Sequence, residues 1–132
     1  MTPATLRSSL ATLLASEVGR YSSGSGAADR PSIWVGSVTP DGYSMNLDFA
    51  KRLEVLIYPT GEYGQVPEFG VMQRTQDLRV VLKDWTPHNL APQSTATATE
   101  LILERYRVPR NPTLIPGTLN TVEQVTIFIR ER

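Results

Sequence analysis

Val71-Met72-Gln73-Arg74-Thr75-Gln76-Asp77-Leu78-Arg79-Val80-Val81-Leu82-Lys83-Asp84-Trp85 is the longest β-forming run in the chain. Leu78, Val80 and Leu82 fall on one side of an extended backbone, and Asp77, Arg79 and Lys83 on the other. Successive side chains of a strand point to opposite faces, so this alternation specifies a sheet with one buried face. The buried face needs a covering layer, which the flanking segments must supply. Asp84-Trp85-Thr86-Pro87 ends the run.

Upstream, Leu53 to Tyr58 (LEVLIY) is a second strand, closed by Pro59-Thr60-Gly61. Glu62 to Gly70 carries two glycines and a proline and reads as a loop. Ile33-Trp34-Val35 is a short β-branched and aromatic strand after Pro31. Thr39-Pro40-Asp41-Gly42 is a turn, with proline fixing its own φ and glycine accepting positive φ. Met45, Leu47 and Phe49 then alternate with polar residues, which predicts a further strand pairing back as a hairpin. Ser22 to Asp29 (SSGSGAAD) is a flexible connector. At the start of the chain, Leu6, Leu10, Leu13, Leu14 and Val18 form one apolar stripe of helical period. Thr2 is placed to cap that helix and Pro3 to occupy its first position. The spacing predicts a helix over Ala4–Val18, stopped by Gly19.

Downstream, a second helix is expected before Arg107, with two possible starts. Asn89 is one, with Pro92 in the first turn; Thr97 and Glu100, at capping-box spacing, are the other. Ala98, Leu101, Ile102 and Arg105 share a face of it, with Tyr106 beside them. Val108 to Asn120 holds Pro109, Pro112, Pro116 and Gly117 and reads as an extended linker. Val125, Ile127 and Ile129 alternate with Gln124, Thr126 and Phe128 in a closing strand over Val122–Ile129. The order α-β-β-β-α-β lacks a helix after every strand. It therefore predicts an α+β fold with a mixed or antiparallel sheet of four to five strands and two helices packed on one face.

The 132 residues, 40% hydrophobic and 20% charged, fit one domain over 1–132 that can bury a core without staples. Thirteen basic and thirteen acidic side chains cancel, so no broad basic field is available to hold nucleic acid as a main task. The absence of cysteine excludes disulfides, thiol nucleophiles and cysteine metal sites, and fits a reducing compartment. The N-terminal stretch lacks the basic start and unbroken apolar run of a signal peptide. No stretch approaches the ~18 apolar residues of a membrane helix. The protein is expected to stay where it is made, or to leave inside something larger.

Catalytic chemistry finds little support. His88 is the only histidine, which excludes a His–His metal pair and HExxH. Lying just past a strand with only Asp84 near it, it reads as a solvated loop histidine. The glycines at 19, 24 and 26, or at 61, 64 and 70, match neither GxxxxGK[ST] nor GxGxxG, and read as loop glycines. A carboxylate pair such as Asp48 and Glu54 reads as solvated acids on sheet faces rather than an acid–base pair. No cofactor or metal is implied.

The aromatic residues are more informative. Tyr43, Tyr58, Tyr63, Phe69 and Trp85 gather at strand ends and in the segment between strands. Aromatics so placed anchor protein interfaces, because they bury much area for little lost entropy. The competing reading makes Trp34, Tyr58 and Trp85 plugs at the core edge. Tyr63 and Phe69, flanked by glycine and proline, favour an interface.

The order of parts resembles a known family. A leucine-striped helix and a glycine- and serine-rich break precede Arg30-Pro31-Ser32-Ile33-Trp34-Val35. Gly70-Val71-Met72-Gln73-Arg74 leads into Leu78-Arg79-Val80-Val81-Leu82-Lys83-Asp84-Trp85. Ala98-Thr99-Glu100-Leu101-Ile102-Leu103 and Val122-Glu123-Gln124-Val125-Thr126-Ile127 follow. Together they resemble the tail terminator, or tail-completion, proteins of long-tailed bacteriophages over nearly the whole chain. The departure is Val38 to Arg52, longer than that family's first strand connection and read as an added hairpin.

The resemblance implies a non-enzymatic structural subunit of the virion tail or neck, assembled in the host cytoplasm. It implies a homo-oligomeric ring, usually a hexamer, that stops growth of the tail tube protein and receives the head connector or neck protein. In contractile tails the ring also meets the tail sheath. DNA would pass through its lumen without specific binding, and no membrane is involved. The candidate interface residues are Tyr58, Tyr63, Phe69, Arg74, Trp85, Arg130 and Arg132, with Pro59–Gly70 and the C-terminal Arg130-Glu131-Arg132 as contacts above and below. Another neck or head-completion protein, a small ligand-binding or enzymatic α+β domain, and a monomeric adaptor or inhibitor are the rival readings.

Overall fold

The structure, a computed structural model, describes residues 2–21, 30–36, 53–68, 71–85, 94–118 and 121–130. The elements are α1 (Pro3–Leu13), β1 (Arg20–Tyr21), β2 (Arg30–Pro31), β3 (Ile33–Val35), β4 (Leu53–Glu68), β5 (Val71–Asp84), α2 (Ser94–Arg105), β6 (Thr113–Ile115) and β7 (Glu123–Ile129). Strands β1 and β2 form a small antiparallel pair. The others make a five-stranded mixed sheet in the order β3-β4-β5-β7-β6, parallel only between β3 and β4. The α+β class with a mixed sheet is as the sequence predicts.

Strand β5 lies in the middle and carries the alternation that its sequence announces. Leu78, Val80 and Leu82 are fully buried, while Arg79 between them is exposed. The same core takes Val55 and Ile57 from β4, and Val125, Ile127 and Ile129 from β7. Leu6, Leu10 and Leu14 join it from the N-terminal segment, and Ala98, Ile102 and Tyr106 from α2 and its exit. Both helices therefore cover one face of the sheet. A smaller cluster of Trp34, Leu56 and Val81, with Tyr58 packed against it, occupies the opposite face.

The start of α1 is built as expected, with a second capping partner that the sequence reading omitted. Thr5 N donates to Thr2 Oγ1 at 3.2 Å and Thr2 N donates to Thr5 Oγ1 at 2.9 Å, a reciprocal capping box. The helix ends at Leu13, earlier than the predicted Val18, and Gly19 is not its stop. The apolar stripe continues because Leu14 and Val18 remain buried after the backbone has changed. Val18 forms an isolated parallel bridge with Leu53, and Gly19 N donates to the Leu53 carbonyl at 2.8 Å. Burial follows the periodicity, whereas the helix yields to a bond with the sheet.

Three further expectations are corrected. The segment from Glu62 that reads as a loop is strand through Glu68. Its Pro67 is tolerated because only β5 pairs with that stretch among the described residues, leaving one edge without need of a donor. The linker over Val108–Asn120 contains β6, whose three residues pair with β7. Helix α2 is described from Ser94, three residues before Thr97, so Thr97 and Glu100 lie inside the helix and do not box its start. Asn89, Pro92 and the strand expected over Met45–Phe49 lie outside the described residues.

The turn from β6 into β7 depends on a close backbone approach. A Cβ on Gly117 would meet the Glu123 backbone nitrogen at 2.7 Å, so that position excludes any larger residue without movement of the turn.

The packing predicts unequal costs for two leucine truncations on the helices. Leu10→Ala removes a fully buried side chain and is expected to lower stability by about 2–5 kcal/mol. Leu103→Ala, at a position 41% exposed, should stay within about 0.5 kcal/mol. Urea unfolding of the two variants checks this, and equal losses would contradict the assigned core face.

Candidate assembly interface

The two outer strands of the sheet are unlike. Strand β3 bonds β4 through the Val55 N–H to the Ser32 carbonyl and the Gly36 N–H to the Ile57 carbonyl. By alternation the Ile33 carbonyl faces away from β4, and the Arg7 side chain of α1 takes it, Nε donating at 2.8 Å. A charged side chain laid on an edge strand obstructs addition of another strand. At the other edge, β6 presents Leu114 at 57% and Ile115 at 54% exposure. Pro112 and Pro116 bracket this edge, and neither can donate a hydrogen bond.

Beside β6 a groove of about 470 Å³ opens between the strand and α2, walled by Thr95, Thr99, Glu100, Leu114, Pro116 and Val125 among others. Thr95 Oγ1 donates to Glu123 Oε1 and so ties the first turn of α2 to the start of β7. The groove floor is thereby held by the same turn that Gly117 permits. Its lining, largely methyl and ring surface with a single exposed carboxylate at Glu100, suits an apolar segment better than a reacting substrate.

A different arrangement occupies the face opposite the helices. Register places Tyr58 across from Arg79, and Arg79 across from Phe128. The Arg79 guanidinium lies 4.6 Å from the Tyr58 ring centre, and Arg110 lies 4.3 Å from that of Phe128. Cations at such distances are attracted by the ring quadrupole, by about 0.5–1 kcal/mol where exposed. Farther along, Glu54 faces Lys83 across the β4–β5 ladder. Burial pushes the Glu54 carboxyl above its ordinary value, and the opposing pull of Lys83 is smaller. The Trp85 indole also favours the charged form, from outside good hydrogen-bond geometry: its buried Nε1 has no partner within hydrogen-bond limits among the described residues.

The β4–β5 pairing changes register between Pro59 and Tyr63, so that residues 60–62 stand opposite Asp77. At this level the five-stranded body gives way to a two-stranded ribbon. Tyr63–Glu68 pairs with Val71–Gln76, and no third strand joins either among the described residues. Six residue pairs at about 3.4 Å each give this arm a length of roughly 20 Å. Arg130 locks the junction. Its Nε donates to Asp77 Oδ1 at 2.8 Å and its Nη2 to Oδ2 at 3.1 Å, a bidentate pair. That bonding raises the guanidinium further above its already high ordinary pKa. Its backbone meanwhile exchanges hydrogen bonds with Arg107 at the exit of α2.

The sequence-selected interface residues thus divide. Tyr63 and Arg74 fall on the arm, across from Gln76 and Gln65. Tyr58 is half-buried under Arg79 on the sheet face, and Trp85 sits just past β5 beside Glu54, closer to the reading as a core-edge plug. Trp34 is likewise buried. Arg130 is committed to Asp77 inside the chain. Phe69, Arg132, His88 and Asp48 lie outside the described residues. Leu114 and Ile115 were missed; the signal was an apolar pair held between two prolines. Among the described residues no group of three or more His, Asp or Glu could hold a metal, and no helix is long and apolar enough to cross a membrane.

Two substitutions test these electrostatics. Arg130→Met removes two charge-assisted hydrogen bonds from the buried Asp77 carboxylate, and should cost about 2 kcal/mol, below the value for fully buried pairs because the guanidinium is partly solvated. The folded state raises the Glu54 pKa, so its contribution to stability is complete below the unfolded value and is lost as pH rises through the folded one. Glu54→Gln should therefore gain stability relative to the native chain between about pH 4 and pH 7. Urea midpoints at both pH values check this, and a difference that is flat with pH would refute it.

No known family, no characterised protein and no solved structure matches this chain.

Proposed function

We propose that this chain is a structural subunit of a closed ring that caps the tail tube of a long-tailed bacteriophage and joins it to the head connector, a tail terminator. The observation that carries this reading is the dissimilarity of the two sheet edges, one covered by Arg7 and one apolar and open at Leu114 and Ile115. A head-to-tail ring uses two different patches on each subunit, whereas a two-fold dimer matches one patch with itself. The resemblance carried by the β5 run, α2 and β7 supplies the identity of the ring. Its partners on this reading are further copies of the chain, the tail tube protein, the connector and, in a contractile tail, the sheath. DNA crosses the lumen without specific binding, in keeping with the balanced charge. The subunit works by position and has no catalytic task, cofactor or membrane contact; its place is the neck of the virion, reached from the host cytoplasm.

Native mass spectrometry of the purified chain over a range of concentrations tests the ring. A closed hexamer is the expected species. A stable two-fold dimer that persists on dilution would sink the reading, because it consumes the patch that a ring needs.

A further inference from the structure

Among the described residues, neither the arm nor the β6 edge with its groove has a further strand of this chain laid against it. A two-stranded hairpin is marginally stable alone in water. The arm, Tyr63–Glu68 with Val71–Gln76, therefore gains most from a surface laid against it. The β6 edge has the opposite need. Its Leu114 and Ile115 are exposed, and the groove beside them is walled by Thr99, Glu100, Pro116 and Val125. Their own chain cannot bring the two together while the sheet holds its register. The arm leaves the body at Asp77 and runs away from it, whereas β6 pairs with Gln124–Thr126, level with Val81–Lys83.

We propose that the arm of one copy docks on the β6 edge and groove of a second copy, forming the head-to-tail contact. The contact itself rests on the geometry above, and its closure into a ring rests on the function proposed in the preceding subsection. Each strand of the arm has one edge unpaired among the described residues, as does β6. Strand addition can therefore join them through backbone hydrogen bonds. Pro112 and Pro116 confine that addition to Thr113–Ile115, and a short addition seals one contact without seeding a continuous sheet. The sequence of the arm includes the apolar residues Val66, Pro67, Val71 and Met72. The receptor patch and the arm are different surfaces, so the contact leaves one of each free on every pair and propagates until closure.

The chain has no native cysteine, so introduced thiols are the only ones present. Gln65→Cys chains mixed with tagged Ile115→Cys chains, then mildly oxidised at the highest soluble concentration, should give the mixed disulfide in clear excess over either homodimer. A Leu103→Cys partner, on the exposed side of α2, is the control and should not cross-link. Absence of the mixed disulfide, or equal trapping by the control, overturns the proposal. Leu114→Asp, at an exposed position that leaves the fold intact, should weaken association at least about tenfold by sedimentation. Unchanged association also overturns it. Hexamers that persist undiminished in Leu114→Asp would retain the ring and discard the arm contact. Mixed disulfides found only in closed dimers would retain the contact and discard the ring.

Discussion

Strand β5 is hydrogen-bonded on both sides, and a slip of one residue in its register would turn Leu78, Val80 and Leu82 out of the core. It would bring Asp77, Arg79 and Lys83 in beneath the helices, where none could be solvated. Everything else in the structure is keyed to that register. It aligns Val55 and Ile57 on one side and Val125 and Ile127 on the other, giving α1 and α2 a single apolar platform. It also sets Tyr58, Arg79 and Phe128 in one row on the opposite face, where the ring-stacked guanidinium can reach water. The ion pair of Asp77 with Arg130 then fixes where this regular pairing ends.

How much of this was legible follows from the range of the forces involved. Alternation in β5 and β7 was plain in the sequence, because burial of one face is recorded at every second residue. The start of α1 was equally plain, since capping is a matter of three residues. Its end was not, because Leu14 and Val18 satisfy the same periodicity from a turn and a bridge. The strand through Glu68 was hidden by Gly64 and Pro67, whose local preference for turns is overridden by cross-strand pairing opposite Thr75 and Met72. Propensity is weak where pairing is extensive. The bond between Asp77 and Arg130 spans 53 residues and leaves no local mark. Leu114 and Ile115 were obscured for the opposite reason: three prolines in the same segment argued for a linker, yet proline suits the flanks of an edge strand.

The unlike edges also bear on how such a subunit avoids aggregation. An open, apolar edge strand is a standing invitation to uncontrolled sheet growth. Here β3 is closed by Arg7 from its own chain, and β6 is limited to three residues by its prolines. Edge-to-edge stacking of β6 on β3 is thus obstructed at one partner and short at the other. In the proposed ring, lateral assembly then draws on a segment outside the five-stranded sheet. Among the described residues, strand edges outside the five-stranded sheet are carried by the two-residue strands of the β1–β2 pair and by the arm, whose six residue pairs offer the longer edge.

On the proposed arm contact, control of assembly falls to the junction rather than to the contact surfaces. The arm's direction is set at residues 60–62, where β4 has two more residues than β5 and the ladder bends. A bent ladder with no brace would let the ribbon sample many directions, and docking would be opposed by the entropy of fixing one. Arg130 supplies the brace, holding Asp77 on β5 by two hydrogen bonds while its backbone is held by Arg107. Arg130 thus meets β5 through its side chain and the exit of α2 through its backbone, and the other end of α2 walls the β6 groove. A subunit built this way can present both halves of its contact in fixed relation, which is the condition for a ring to close at a definite number rather than to continue as a filament.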